Sequence, residues 1–172
     1  MMFNKTHRFL LVSIVGVVIT ATAACQTHPV KNSEPDGVAA GVTGVDYLAD
    51  HLSVQRFNVN GVVGGRAGKG GSTSCCATLP REWQPGMTVT VKWNVTNWRD
   101  CQGNEYEAEV PVEKYDEPGR LWINFLPHEQ IQVVSSDIGP RNPDYLGPKR
   151  AIPKKYPWKK YPPRQHCPNS FK

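Results

Sequence analysis

The run "MTVTVKWNV", residues 87–95, alternates without a break: Val89, Val91, Trp93 and Val95 fall on one side, Thr88, Thr90, Lys92 and Asn94 on the other. A period of two belongs to a strand with one buried and one wet face, and it rules out a helix, whose apolar positions recur every three to four residues. After the turn "NWRDCQGNE", the run "YEAEVPVEKY" repeats the pattern, setting Tyr106, Ala108, Val110 and Val112 against Glu105, Glu107, Glu109 and Glu113. Together they read as an antiparallel hairpin, with Lys92 placed to offset part of the acidic outer face. "LSVQRFNVNG" ahead of it, with Phe57 and Val59 on one face, and "GRLWINFL" and "QIQVVSS" behind it supply further strands. The 15 Gly and 15 Pro would interrupt long helices. The expectation is therefore a mainly β chain: a small antiparallel β-sandwich or open barrel over residues 49–140, with an extended Pro-rich C-terminal segment over 141–172. No repeat of fixed period is present, which excludes solenoids and propellers.

The first residues carry an address. Lys5 and Arg8 precede the apolar run "FLLVSIVGVVITATAA", which ends in small residues and a Cys. That run is shorter than the roughly 20 apolar residues of a membrane span and has the charge, core and cleavage regions of a signal peptide, so residues 1–24 are expected to be removed. The cleavage point "TAAC", with Thr22 where a Leu is usual, resembles the lipobox of bacterial lipoproteins, and that resemblance implies acyl chains on Cys25. Several chains on one residue anchor a protein stably, at about 0.8 kcal/mol per buried methylene. Gln26, rather than Asp, implies in such lipoproteins a place in the outer membrane facing the periplasm. Residues 25–48, polar and aperiodic at their start, are read as a flexible lipidated tether.

Charge divides the rest of the chain into an acidic body and a basic tail: residues 25–140 hold nine Lys or Arg against fourteen Asp or Glu, and residues 141–172 hold nine against one. In the tail, cations and aromatics interleave as Lys154, Lys155, Tyr156, Trp158, Lys159, Lys160 and Tyr161. Such a mixture suits a partner surface of anionic lipid or acidic protein, through charge and cation–π contact. It equally suits a strap over the protein's own acidic body. The compartment excludes nucleic acid.

Beyond Cys25 four cysteines remain, Cys75, Cys76, Cys101 and Cys167, an even number outside the cytoplasm, and disulfides are the expectation. Adjacent residues of an extended chain point to opposite faces, so Cys75 and Cys76 are expected to reach different partners, one bridging to Cys101 and the other to Cys167. A zinc site would prefer Cys-x-x-Cys spacing, so no metal or other cofactor is expected. "GGRAGKGGSTSCC", residues 64–76, fails as a phosphate loop because Gly68-Lys69 is followed by Gly70 and Val63 stands where the first Gly belongs; it reads as slack chain feeding a stapling point.

Catalytic signals are lacking. There is no Gly-x-Ser-x-Gly, and His28, His51, His128 and His166 lie in tether, strand-edge, turn and tail contexts. A non-enzyme is expected. Glu105, Glu107 and Glu109 form an acidic stripe that reads as a solvated sheet face.

Over residues 52–163 the chain resembles a family of bacterial lipoproteins, the domain-of-unknown-function family 3304. The resemblance is carried by "VQRFNVNG", "GGSTSCCATLPREWQPGMTVTVKW", "NWRDCQG", "YDEPGRLWINFLP" and "VVSSDIGPRNPDYLGP". It implies an envelope lipoprotein, and the placing of some members beside phospholipase effectors of the type VI secretion system implies an immunity protein whose partner is such a toxin. An envelope module binding anionic lipid or polysaccharide through the tail is the alternative. No family motif marks binding residues.

Overall fold

The computed structural model describes residues 37–162, 166 and 167. The expected signal peptide, residues 1–24, and the expected lipidation site Cys25 lie outside them. Eight strands run in chain order: β1 (Gly37–Asp46), β2 (Leu52–Val59), β3 (Val62–Gly65), β4 (Ser74–Pro80), β5 (Thr88–Asn97), β6 (Gln102–Pro111), β7 (Leu121–Phe125) and β8 (Ile131–Ser135). They form two four-stranded sheets, one ordered β4-β1-β7-β8 and the other β3-β2-β5-β6. The sheets face each other as an open sandwich.

The expected β5–β6 hairpin is present, its register pairing Trp93 with Tyr106 and Asn97 with Gln102. Lys92 meets Glu107 across it at 3.0 Å. The inward faces of both sheets share one core of Val42, Leu121, Ile123, Phe125 and Val133 against Val54, Phe57, Val59, Val91 and Val110. Phe57 meets Phe125 edge-on, ring centroids 5.3 Å apart. At one corner the sheets are tied by the backbone, Glu113 N–H donating to the Val133 carbonyl at 2.9 Å.

Three expectations are corrected. The tether does not reach residue 48, because β1 begins at Gly37 and lies inside the first sheet between β4 and β7. Val42 belongs to the core between the sheets while Val45 packs on the opposite face with Trp122 and Tyr145. A strand covered on both faces has no wet side and so shows no alternation. The sandwich is not purely antiparallel, since β1 pairs with β7 in parallel, Val42 opposite Leu121. Nor is "GGRAGKGG" slack: it opens in β3, Ala67 is buried, and Gly68 N–H donates to the Gly44 carbonyl at 3.2 Å. Its first glycine is a matter of room, because a Cβ on Gly64 would overlap the Phe57 ring, and one on Gly44 would stand 2.6 Å from it.

The outer face of the first sheet is covered by the chain after β8. Val45, Tyr47, Trp122, Val134 and Tyr145 form a second buried cluster there, with Leu126 and Ile152 against it. Tyr145 is anchored by Asn124, whose amide donates to its hydroxyl at 2.8 Å. The acidic body thus wears its own basic tail. The tail is extended for most of its length but contains a one-turn helix, α1 (Pro157–Lys160), with Pro in its first turn, where a missing N–H costs nothing.

Candidate functional site

The two surfaces that decide what this protein can do are the tail and the open mouth of the sandwich. In the tail, Lys155 is not offered to solvent. Its side chain is 8% exposed and its ammonium donates to Asp46 Oδ1 at 2.7 Å and to the carbonyls of Leu48 and Leu52 at 3.0 and 2.8 Å. Burial pulls the Lys155 pKa below the ordinary lysine value, and the Asp46 carboxylate opposes that pull. Asp46 in turn accepts the N–H of Leu48 at 2.9 Å. Lys160 pairs with Asp50 at 2.7 Å on the surface. Hydrogen bonds from Lys160 first, and then His51, hold the Asp50 carboxyl below its ordinary pKa.

Trp158 meets Trp98 at 6.1 Å between ring centroids, and the Arg66 guanidinium lies 5.0 Å from its ring. Lys154, Tyr156 and Lys159 are exposed, with Lys159 over the Tyr156 ring at 5.3 Å, and Tyr161 is half-buried under Lys160 at 5.4 Å. Of the seven tail residues singled out in the sequence, Lys155, Trp158 and Lys160 are therefore committed to the protein's own body.

The disulfide pairing differs from expectation. Cys101 bonds Cys167, with Cα atoms 5.5 Å apart, and Cys75 bonds its neighbour Cys76. The latter two are neighbours in β4, 3.1 Å apart at Cα, and bond each other instead of partners on the two faces of the strand. Both sit on β4, an edge of the first sheet, whereas Cys101 lies in the β5–β6 turn of the other sheet. Cys101, His166 and Cys167 bring possible ligand atoms within 4.8 Å of one another, but the two sulfurs are joined to each other and offer no thiolate.

The mouth of the sandwich was not legible as a site. There the β5–β6 hairpin runs out past the core while the β7–β8 turn closes on the far side, leaving a groove of about 600 Å³. Trp93, Tyr106 and Phe125 wall its inner end, Trp93 and Tyr106 stacked at 5.2 Å between centroids. Gln102, Asn104 and Gln130 stand toward its rim. His128 and Glu129, in the β7–β8 turn, both have positive φ, 61° and 60°, which fixes that lip in a tight two-residue turn. The lining contains no Lys or Arg.

A second, smaller pocket of about 250 Å³ lies under the strap, between Arg66, Lys69 and Trp158, with the Asp46–Lys155 pair in its wall. Among the described residues His51 meets Asp50 Oδ1 at 3.4 Å and His166 meets the Arg99 carbonyl at 2.6 Å. Neither ring is hydrogen-bonded to a hydroxyl or thiol, the arrangement an activated nucleophile needs. The acidic stripe is solvated, Glu105 lying 3.6 Å from Arg56 with both side chains exposed.

Fold and surfaces together define a small β-sandwich, strapped by its own tail and locked by a disulfide, with a groove at one mouth. Residues 49–133 match the model of the family described as a protein of unknown function, DUF3304, and the chain belongs to that family. The match takes in β2 to β7 and the start of β8, leaving β1 and the strap outside it. No curated protein and no solved structure matches the chain.

Proposed function

We propose that this protein is an outer-membrane lipoprotein facing the periplasm that works by binding, as an immunity protein that blocks a phospholipase effector of the type VI secretion system. The observation that carries this reading over its alternative is the fate of the tail. A module gripping anionic lipid or polysaccharide through this stretch would draw on all four of its lysines, whereas Lys155 is buried on Asp46 and Lys160 is paired with Asp50 at the surface, leaving Lys154 and Lys159 to offer. What the domain presents instead is a rigid, strapped body with an exposed hairpin whose outer face carries Glu105, Glu107 and Glu109. A pre-organised surface of this kind loses little freedom on docking, and occlusion asks for no catalytic residues. Acylation at Cys25, as "TAAC" implies, would hold the inhibitor at the membrane where such a toxin acts, raising its effective concentration there.

The test is co-expression with a periplasm-directed phospholipase effector from a neighbouring gene. Restored growth and a complex that survives purification are expected. Failure of both, beside salt-sensitive binding to lipopolysaccharide, would replace this reading with the tail-binding alternative.

A further inference from the structure

We infer that the groove at the mouth of the sandwich is a binding site for a neutral oligosaccharide. This goes beyond the immunity reading and does not depend on it. The inner face of the second sheet changes chemistry as it leaves the core: along β5 it runs Val91, Trp93, Val95, Asn97, and along β6, in the opposite direction, Ala108, Tyr106, Asn104, Gln102. The apolar half is covered by the first sheet. The amide half is left facing the groove.

Each chemical class of ligand can be weighed against that lining. An anionic headgroup would enter a groove with no Lys or Arg and with Glu129 at its lip. A cation would find Glu129, but Asp50, the other acid of the lining, is already held by Lys160 at 2.7 Å. An acyl chain would suit Trp93, Tyr106 and Phe125 and would strip water from Gln102, Asn104 and Gln130 without replacing it, a cost of about 1–3 kcal/mol for each polar group left unmade. Asn97 is bonded to Asp100 at 2.8 Å, whereas the side chains of Gln102, Asn104 and Gln130 have no partner among the described residues. A carboxamide offers a donor and an acceptor side by side, the match for neighbouring hydroxyls of a sugar ring. The apolar face of such a ring suits an aromatic wall. About 600 Å³ is within the ordinary range of small-molecule sites.

The experiment titrates the full chain, held in phospholipid nanodiscs free of detergent, with maltotriose, lactose, mannotriose and tri-N-acetylchitotriose by calorimetry and by saturation-transfer NMR. Binding of at least one of them is expected. The double variant Gln102→Ala/Asn104→Ala should weaken it about tenfold or more with an unchanged melting temperature, since both side chains are exposed. Lys154→Ala, on the strap, should leave it unchanged. The inference is overturned if none of the four sugars binds at millimolar concentration, if binding survives the double variant, or if a single-chain detergent displaces the sugar competitively from the groove.

Discussion

Lys155 reaches back across 109 residues to Asp46 and is buried on it, ammonium to carboxylate 2.7 Å apart. The contact joins the tail to the end of β1, the strand at the centre of the first sheet. A buried pair of this kind contributes little over an apolar replacement, but losing one member leaves a charge stranded. Lys155→Met should therefore destabilise the fold by about 3–5 kcal/mol in urea denaturation. The double variant Asp46→Asn/Lys155→Met should cost clearly less than the two single changes added together. Additive costs would show that the two residues are not coupled.

The strap's other buried anchor is Tyr145, and it makes the fold sensitive to alkali. Burial raises the Tyr145 pKa well above its ordinary value near 10, with the bond from Asn124 acting weakly the other way. Since the folded value exceeds the unfolded one, this contribution to stability is complete below pH 10. It falls as the pH rises further and the unfolded chain loses the proton first. Urea midpoints measured from about pH 8 to pH 11 should fall less steeply for Tyr145→Phe than for the wild type. The variant itself should lose about 1 kcal/mol at neutral pH, through the loss of the hydroxyl's hydrogen bonds with Asn124.

The two disulfides should differ sharply in weight. Cys101 and Cys167 are separated by 66 residues, and closing a loop of that length stabilises by about 4 kcal/mol in the chain-entropy account. Cys75 and Cys76 are neighbours, so their bond restricts almost nothing in the unfolded chain. Cys101→Ser/Cys167→Ser should lose most of that stabilisation, while Cys75→Ser/Cys76→Ser should change it by less than about 1 kcal/mol. Mass mapping of the unreduced protein should place each bond, and a peptide linking Cys75 or Cys76 to Cys101 would refute the pairing.

Gly64 and Gly44 flank the fully buried ring of Phe57. Gly64→Ala should overpack that site and cost about 1–3 kcal/mol in thermal denaturation, without changing the fold. A variant as stable as wild type would mean the ring has room to move.

Lipidation is tested separately. Metabolic labelling with a fatty acid should mark the wild type and fail to mark Cys25→Ser; label persisting in the variant would remove the anchor.

What could be read in advance follows from where water reaches the chain. The β5–β6 hairpin was legible because one of its faces is wet, so Val89, Val91 and Trp93 alternate with Thr90 and Lys92. β1 was not. Its "GVAAGVTGVD" is buried from Val42 to Asp46 and carries three glycines, one of which, Gly44, makes room for Phe57, so it resembles a linker in composition alone. Charge separation offered a strap as one of two readings of the tail, but not the pairing of Lys155 with Asp46, because the partner lies on a strand the alternation did not reveal. The groove left a fainter trace. On one strand face Val91, Trp93, Val95 and Asn97 pass from apolar to amide, a change that acquires meaning only when the opposite sheet is seen to stop short. The cysteine pairing was unreadable, since it turns on which strands are neighbours.

The parallel pairing of β1 with β7 also governs the order in which this protein can be made. Val42 lies beside Leu121, so the first strand to emerge has no neighbour on that side until most of the domain has followed it. Its other neighbour, β4, arrives earlier but forms an edge, and two strands without a third are marginal in water. The second sheet has all four of its strands by Pro111, but the first cannot close, nor cover the apolar face of the second, until β7 has been made. The chain must then close these distant contacts together, which places its folding in the millisecond-to-second range of non-local β topologies.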